Sequence, residues 1–124
     1  MKHFETAIQS QFIGIMRKYH PDVLLTGGFA GESLGAGIQA IVRGKRRKAM
    51  GYRPGSPDVM ILEPRGKFHG LFLEFKDSKG AQSPDQKIFE SASLARGYLY
   101  EVVRNIQAAI DFTETYLKIS AQAK

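Results

Sequence analysis

Asp58-Val59-Met60-Ile61-Leu62 and Gly70-Leu71-Phe72-Leu73-Glu74-Phe75-Lys76 are short apolar runs with Pro64-Arg65-Gly66-Lys67 between them. Turn residues bound each run, so the pair predicts a β-hairpin. Side chains alternate along a strand with period two. Phe72, Glu74 and Lys76 therefore share one face of the second strand, and Leu71, Leu73 and Phe75 share the other. With the turn centred on Gly66, Asp58 falls opposite Glu74, Met60 opposite Phe72 and Leu62 opposite Gly70. A slip of two residues leaves Asp58 on that face; a slip of one removes it.

That register sets two carboxylates and an ammonium side by side. Directly paired Cβ atoms are about 4.5–5.5 Å apart, where like charges on a half-buried sheet are destabilising unless a cation joins them. Lys76 supplies part of that charge. A divalent cation supplies more, and Mg2+ is typically held by one or two carboxylates with waters and substrate phosphate. The backbone carbonyl of Phe75, between the two functional side chains, is a further candidate ligand. Oxygen ligands and the lack of any cysteine favour Mg2+ or Mn2+ over zinc. Such an ion would polarise a phosphodiester and acidify a water, while Lys76 orients the water or stabilises developing charge. On spacing alone the same residues also suit an edge-strand Glu74–Lys76 salt bridge, with Asp58 as a turn residue.

The chain has 124 residues, which fits one domain over 1–124. Apolar residues are 43% and charged residues 24%, ordinary for a chain that buries a core. There is no run of about 18 apolar residues to span a membrane. The start, Met1-Lys2-His3-Phe4-Glu5, lacks the apolar block of a secretory signal. Without cysteine there is no disulfide framework, thiolate nucleophile or Cys-type zinc site, and a cytoplasmic protein is expected. The net charge of +6 is carried entirely by Arg43, Lys45, Arg46, Arg47, Lys48 and Arg53, a segment with no acid. A cationic strip this local suits a polyanion, because each neutralised phosphate releases condensed counterions. It also fits a solvated helix face, and by itself does not separate DNA from RNA or an acidic membrane.

Outward from the hairpin, Phe4, Ile8, Phe12, Ile15, Met16 and Tyr19 predict an amphipathic helix over 3–19, ended by His20-Pro21. Val23-Leu24-Leu25 reads as a short strand. The glycines at 27, 28, 31, 35 and 37 read as a mobile loop or distorted hairpin. Residues 38–50 fit a helix carrying the basic strip, stopped by Gly51. Ser83-Pro84-Asp85-Gln86 is a helix start with a capping box, and Gly97 a left-handed stop. Tyr98–Val103 reads as a strand. Asn105 caps a last helix whose inner stripe is Ile106, Ile110, Thr113 and Leu117. The order predicts a small α/β fold, a mixed sheet covered by helices on both sides.

The residues also resemble a family. Pro57-Asp58, then fifteen residues, then Glu74-Phe75-Lys76 looks like the PD-(D/E)XK nuclease signature. The longer string is more specific: Gly51–Val59, His69–Lys76, then Gly80, Ser83, Gln86 and Gly97-Tyr98 resemble the virus-type replication–repair nuclease (VRR-NUC) domain over most of the chain. The resemblance implies a restriction-endonuclease-like core and a Mg2+-dependent DNA endonuclease of a bacterial or phage-infected cell. Asp58 and Glu74 would be metal ligands, Lys76 the catalytic lysine and Gln86 a neighbour of the site. A first-helix glutamate belongs to such sites; Glu5 is the candidate, with Gln9 one turn on. Free-standing members are similar to Holliday-junction resolvases and often dimeric, so the implied substrate is branched DNA, the implied role DNA repair and the implied assembly a homodimer. The same domain closes the much larger Fanconi-associated nuclease, which acts on flaps. The chain departs from the family at Thr26-Gly27-Gly28-Phe29, where members often carry an Asn-Gly turn.

Other readings stay beside these. Glu5 also suits an exposed first-turn acid, and Gln86 is fully explained by its capping box. Lys79 and Lys87 could hold phosphates or simply be solvated. His3, His20 and His69 lack metal-ligand spacing, and Ser56 and Ser83 read as turn and cap. Gly35-Ala36-Gly37-Ile38-Gln39-Ala40 matches a dinucleotide fingerprint, but Phe29–Leu34 before it is a poor strand. A nucleic-acid-binding module that keeps the fold without cutting is the alternative function; intact Asp58, Glu74 and Lys76 argue against it. The apolar faces of the first and last helices suit either a dimer interface or the core.

Overall fold

Ile8, Phe12 and Met16 recur every fourth residue, so a helix places them on one stripe. In the structure, a computed structural model describing residues 2–28 and 36–121, that helix is α1 (Lys2–Tyr19), and all three side chains are buried. The chain continues as β1 (Leu25–Gly27), α2 (Gly37–Ala49), β2 (Val59–Ile61), β3 (Leu71–Phe75), α3 (Pro84–Ala95), β4 (Leu99–Val103) and α4 (Ile106–Leu117). The four strands form one mixed sheet in the order β1-β2-β3-β4. The first three are antiparallel, and β4 runs parallel to β3 after the α3 crossover. No helix among the described residues is long and apolar enough to cross a membrane.

The hairpin register is the one expected from a turn on Gly66. Val59 pairs with Leu73, Met60 with Phe72 and Ile61 with Leu71. The turn closes through reciprocal Arg65–Phe68 backbone hydrogen bonds of 3.0 and 2.8 Å, with Gly66 at φ +54°. All five residues of β3 are buried, because helices cover both faces of this central strand. Leu71, Leu73 and Phe75 join the core under α1 and α4, where the Phe12 and Phe75 rings lie 5.8 Å apart. Phe72 turns to the opposite face and meets Phe89 of α3 at 6.2 Å.

Three local expectations shift. The first strand is Leu25–Gly27 in place of Val23-Leu24-Leu25. The Val23 N–H instead closes the helix exit on the His20 carbonyl at 3.1 Å, and pairing with β2 begins at Leu25. The fully buried stripe of α4 is Ala109, Thr113 and Tyr116, whereas Ile106, Ile110 and Leu117 flank it half-buried. The Tyr116 hydroxyl fixes that rotation by donating to the Glu63 carbonyl at 2.7 Å. The middle of the α1 stripe and the stripe of α4 are core, packed on the sheet and on each other, whereas Phe4 and Tyr19 at the two ends of the expected α1 face are exposed. The expected glycine loop and the stretch before the dinucleotide-like string fall largely on residues 29–35, outside the described residues.

Two local devices fix the start of α3 against the loop before β2. Ser83 and Gln86 form the reciprocal capping box that opens the helix. Gly55, at φ +86°, brings the loop onto that same helix start. A Cβ there would lie 2.3 Å from the Asp85 carbonyl oxygen. Gly55→Ala combines this clash with left-handed backbone strain of about 1–2 kcal/mol. Urea denaturation should show a loss of at least about 2 kcal/mol, well beyond an ordinary surface substitution.

Candidate active site

Asp58 stands just before β2 and is held from every side by backbone. Its N–H donates to the Leu73 carbonyl at 3.0 Å. Its carbonyl accepts from Gly28 N–H at 3.0 Å and from Gln9 Nε2 at 3.2 Å. Its carboxylate Oδ2 accepts the Phe75 N–H at 2.7 Å. Regular pairing thus stops at Val59–Leu73, and the Asp58 side chain closes the hairpin end in place of a further ladder pair.

Glu74 is fully buried. A carboxylate taken out of water requires hydrogen-bonding or charged partners. The Tyr100 hydroxyl of β4 donates to Oε1 in a short hydrogen bond. Lys76 Nζ stands 3.9 Å from Oε2, within ion-pair range but beyond hydrogen-bond reach. Oε2 therefore has no hydrogen-bond partner among the described residues.

The expected trio of Asp58, Glu74 and Lys76 is brought together electrostatically. Burial, followed by the charges of Glu74 and Glu5, pushes the Asp58 carboxyl from the ordinary 3.8 up to about 6, against the lowering effects of the Phe75 N–H and Lys76. Glu5, half-buried on the first turn of α1, is thus close enough to act on Asp58. Gln9, one turn on, touches Asp58 directly. The Phe75 carbonyl lies on the same strand edge as its N–H, because both polar groups of a strand residue point to one neighbour. It therefore faces the Asp58 side.

Gln86 sits differently. Its Oε1 accepts the Ser83 N–H at 2.8 Å, and its own N–H donates to Ser83 Oγ at 3.2 Å. Among the described residues its hydrogen bonds run to this cap and none to Asp58 or Glu74. Lys79 and Lys87 are exposed, as are Lys45, Arg46, Lys48 and Arg53, with Arg47 half-buried. Arg43 to Lys48 lie on α2, which buries no residue. His69 packs edge-on against Tyr98 at 5.7 Å, and His20 bonds Glu114 of α4.

Tyr100 is the site residue that sequence reasoning missed. Alternation sets it on the Tyr98 face of β4, but its approach to Glu74 depends on the parallel β3–β4 register, Phe72 against Tyr100. Burial and the bond to Glu74 both hold its hydroxyl protonated, far above the usual tyrosine range.

A divalent cation fits this donor set. Two carboxylates, one with a buried oxygen that has no hydrogen bond among the described residues, and a backbone carbonyl are hard oxygen ligands. Among the described residues no three His, Cys, Asp or Glu side chains form a ready-made cage, so water and phosphate would complete the shell.

No family model matches the chain, and neither does any curated protein. A solved structure described as a VRR_NUC domain protein superimposes with a TM-score of 0.71 at 25% identity. The overlap covers 94% of this chain and 90% of that one, and the mixed four-stranded sheet with its helices is a restriction-endonuclease-like fold.

The raised Asp58 value has a stability consequence. The folded chain binds this proton more tightly than the unfolded one. The resulting stabilisation is complete below about pH 4 and is lost as pH rises through about 6. Across the whole titration, from below about pH 4 to well above about pH 6, metal-free protein should lose about 3 kcal/mol of stability from this group. Thermal melts of wild type and Asp58→Asn across that range should diverge, with the asparagine variant keeping its stability at neutral pH.

Proposed function

The chain being a VRR-NUC domain, we propose that it is a metal-dependent, structure-specific endodeoxyribonuclease, acting in the cytoplasm on branched DNA such as Holliday junctions in a repair setting. One observation carries the reading: Asp58, Glu74 and Lys76 converge at one end of the hairpin, with Glu74 Oε2 buried and, among the described residues, facing only the distant Lys76 ammonium without a hydrogen bond. A structural ion pair alone leaves that oxygen unexplained, since buried polar atoms are nearly always satisfied.

Asp58 and Glu74, with the Phe75 carbonyl, would hold Mg2+ or Mn2+, and Glu5 would reach it through water. The bound ion supplies Lewis-acid polarisation of a phosphoryl oxygen and a water made acidic enough to attack. The chain's own groups do the rest. Phe75 N–H fixes one oxygen of Asp58, and Tyr100 fixes one oxygen of Glu74, so the remaining oxygens are turned to the site before substrate arrives. Lys76 Nζ, already drawn to Glu74, orients the attacking water or stabilises charge developing on the phosphoryl group. Gln86 would act indirectly, through the α3 start that it caps with Ser83. Arg43, Lys45, Arg46, Arg47, Lys48 and Arg53 would take the flanking phosphates.

A homodimer suits a four-way junction, whose two scissile strands are related by two-fold symmetry. With α1 and α4 committed to the core, the exposed stripe Ile38, Ile41 and Val42 of α2 is the surface a second copy would cover. Light scattering should then give twice the chain mass for wild type, and Ile41→Glu should give the monomer.

Labelled junction, flap, bubble, duplex and single-strand substrates test the activity directly. With Mg2+ the wild type should cut branched forms first, and EDTA should stop it. Asp58→Ala and Lys76→Ala should each lower the rate by about a hundredfold or more. Tyr100→Phe should lower it by about ten- to hundredfold, with partial recovery at high Mg2+. Cutting that persists in Asp58→Ala and Lys76→Ala would leave a binding module and no more.

A further inference from the structure

A concavity opens on the Glu74 face of the sheet, apart from the carboxylates themselves. It is a groove of about 270 Å³ bounded by Arg53, Phe72, Phe89, Ser93, Arg96 and Tyr98. Its floor is aromatic: the Phe72 and Tyr98 rings stack at 4.8 Å with 17° between their planes, and Phe89 leans in from α3. Its rim is cationic, and no acid lines it among the described residues. Arg96 is anchored at the edge by a 3.0 Å bond from Nη1 to the Ala92 carbonyl, and the Arg53 side chain is exposed. Ser93 donates to the Phe89 carbonyl at 2.8 Å, so the wall between the arginines is already satisfied.

We propose that this groove receives one unstacked base of the strand held at the carboxylates, with the base against the Phe89 and Tyr98 rings and a flanking phosphate between Arg53 and Arg96. The proposal rests on the nuclease reading and names how its substrate is held. Three features select this occupant. Flat aromatic rings take any base through its π-face. Two guanidiniums in the lining, with no acid beside them among the described residues, select an anion and match phosphate geometry. The volume lies just below that of pockets for drug-sized ligands, about 300–1,000 Å³, which suits a single ring system. Position gives a fourth argument. Phe72 precedes Glu74 by two residues on the same face, about 6.6 Å along the strand. A phosphate at Asp58 and Glu74 thus puts a neighbouring base over the groove. An enzyme reading this way would prefer DNA in which a base near the cut is already unpaired, as at a branch point, because unstacking a paired base is itself unfavourable.

Photocrosslinking tests it on the intact protein. Junctions and flaps carrying 5-iododeoxyuridine at successive positions are irradiated with wild type in Ca2+, and the adducts are mapped by mass spectrometry. Adducts at Tyr98 or Phe89 from one or two adjacent positions near the branch are expected. Arg53→Gln and Arg96→Gln, both exposed substitutions, should weaken binding of branched DNA about ten- to hundredfold more than binding of blunt duplex. A parallel Mg2+ arm reads cleavage. Cutting without adducts at either ring overturns the groove and leaves the nuclease reading intact. Absence of both cutting and binding overturns both. Equal crosslinking by free 5-iododeoxyuridine monophosphate makes the groove a mononucleotide site and likewise overturns the proposal.

Discussion

Everything at the site depends on a charged side chain placed in the middle of β3, a strand buried on both faces. Period-two alternation leaves Glu74 no route to water: a one-residue slip would carry it onto the α1 and α4 face and drive Leu73 and Phe75 out of the core. The carboxylate must be satisfied where it stands, and the fold answers with Tyr100 from one neighbouring strand and Lys76 from its own. Asp58, from the other neighbour, adds more negative charge where a stability-optimised sheet would place a neutral side chain. Hydrophobic packing by Phe12, Ile61, Leu71, Leu73 and Phe75 holds this unfavourable arrangement in place.

The hairpin was legible because a turn and an alternation constrain each other. Gly66 could take the left-handed conformation the turn needs, and that centre sets the observed partners of Val59, Met60 and Ile61. The α3 boundaries were legible for a similar local reason, a capping box at one end and Gly97 at the other. Contacts between elements distant in sequence were not. Tyr100 reaches Glu74 only through a parallel register that the packing of α3 decides, and no local spacing records it. The inner stripe of α4 missed its alignment by part of a turn because the Tyr116 hydroxyl and small Ala109 set the rotation. Glu5 was the candidate for the first-helix role, with Gln9 one turn on; geometry gives Gln9 the backbone of Asp58 and Glu5 a charge effect on its carboxyl.

The cationic strip was visible as composition, and its placement adds something composition lacked. Five of its six charges lie on α2, and the sixth, Arg53, stands at the aromatic groove beside Phe72. Charge and ring surface therefore meet on the face of the sheet that carries the carboxylates.

That α2 buries no residue has its own consequence. Thirteen residues are near the length at which a helix in water only just holds together, and α2 draws no help from buried side chains. Its backbone amides should trade protons with solvent long before those of α1, so that this segment behaves as a separate cooperative unit. Whatever settles on it must also supply the entropy of ordering it, which makes affinity for that occupant weaker and more tunable than contact area alone would suggest.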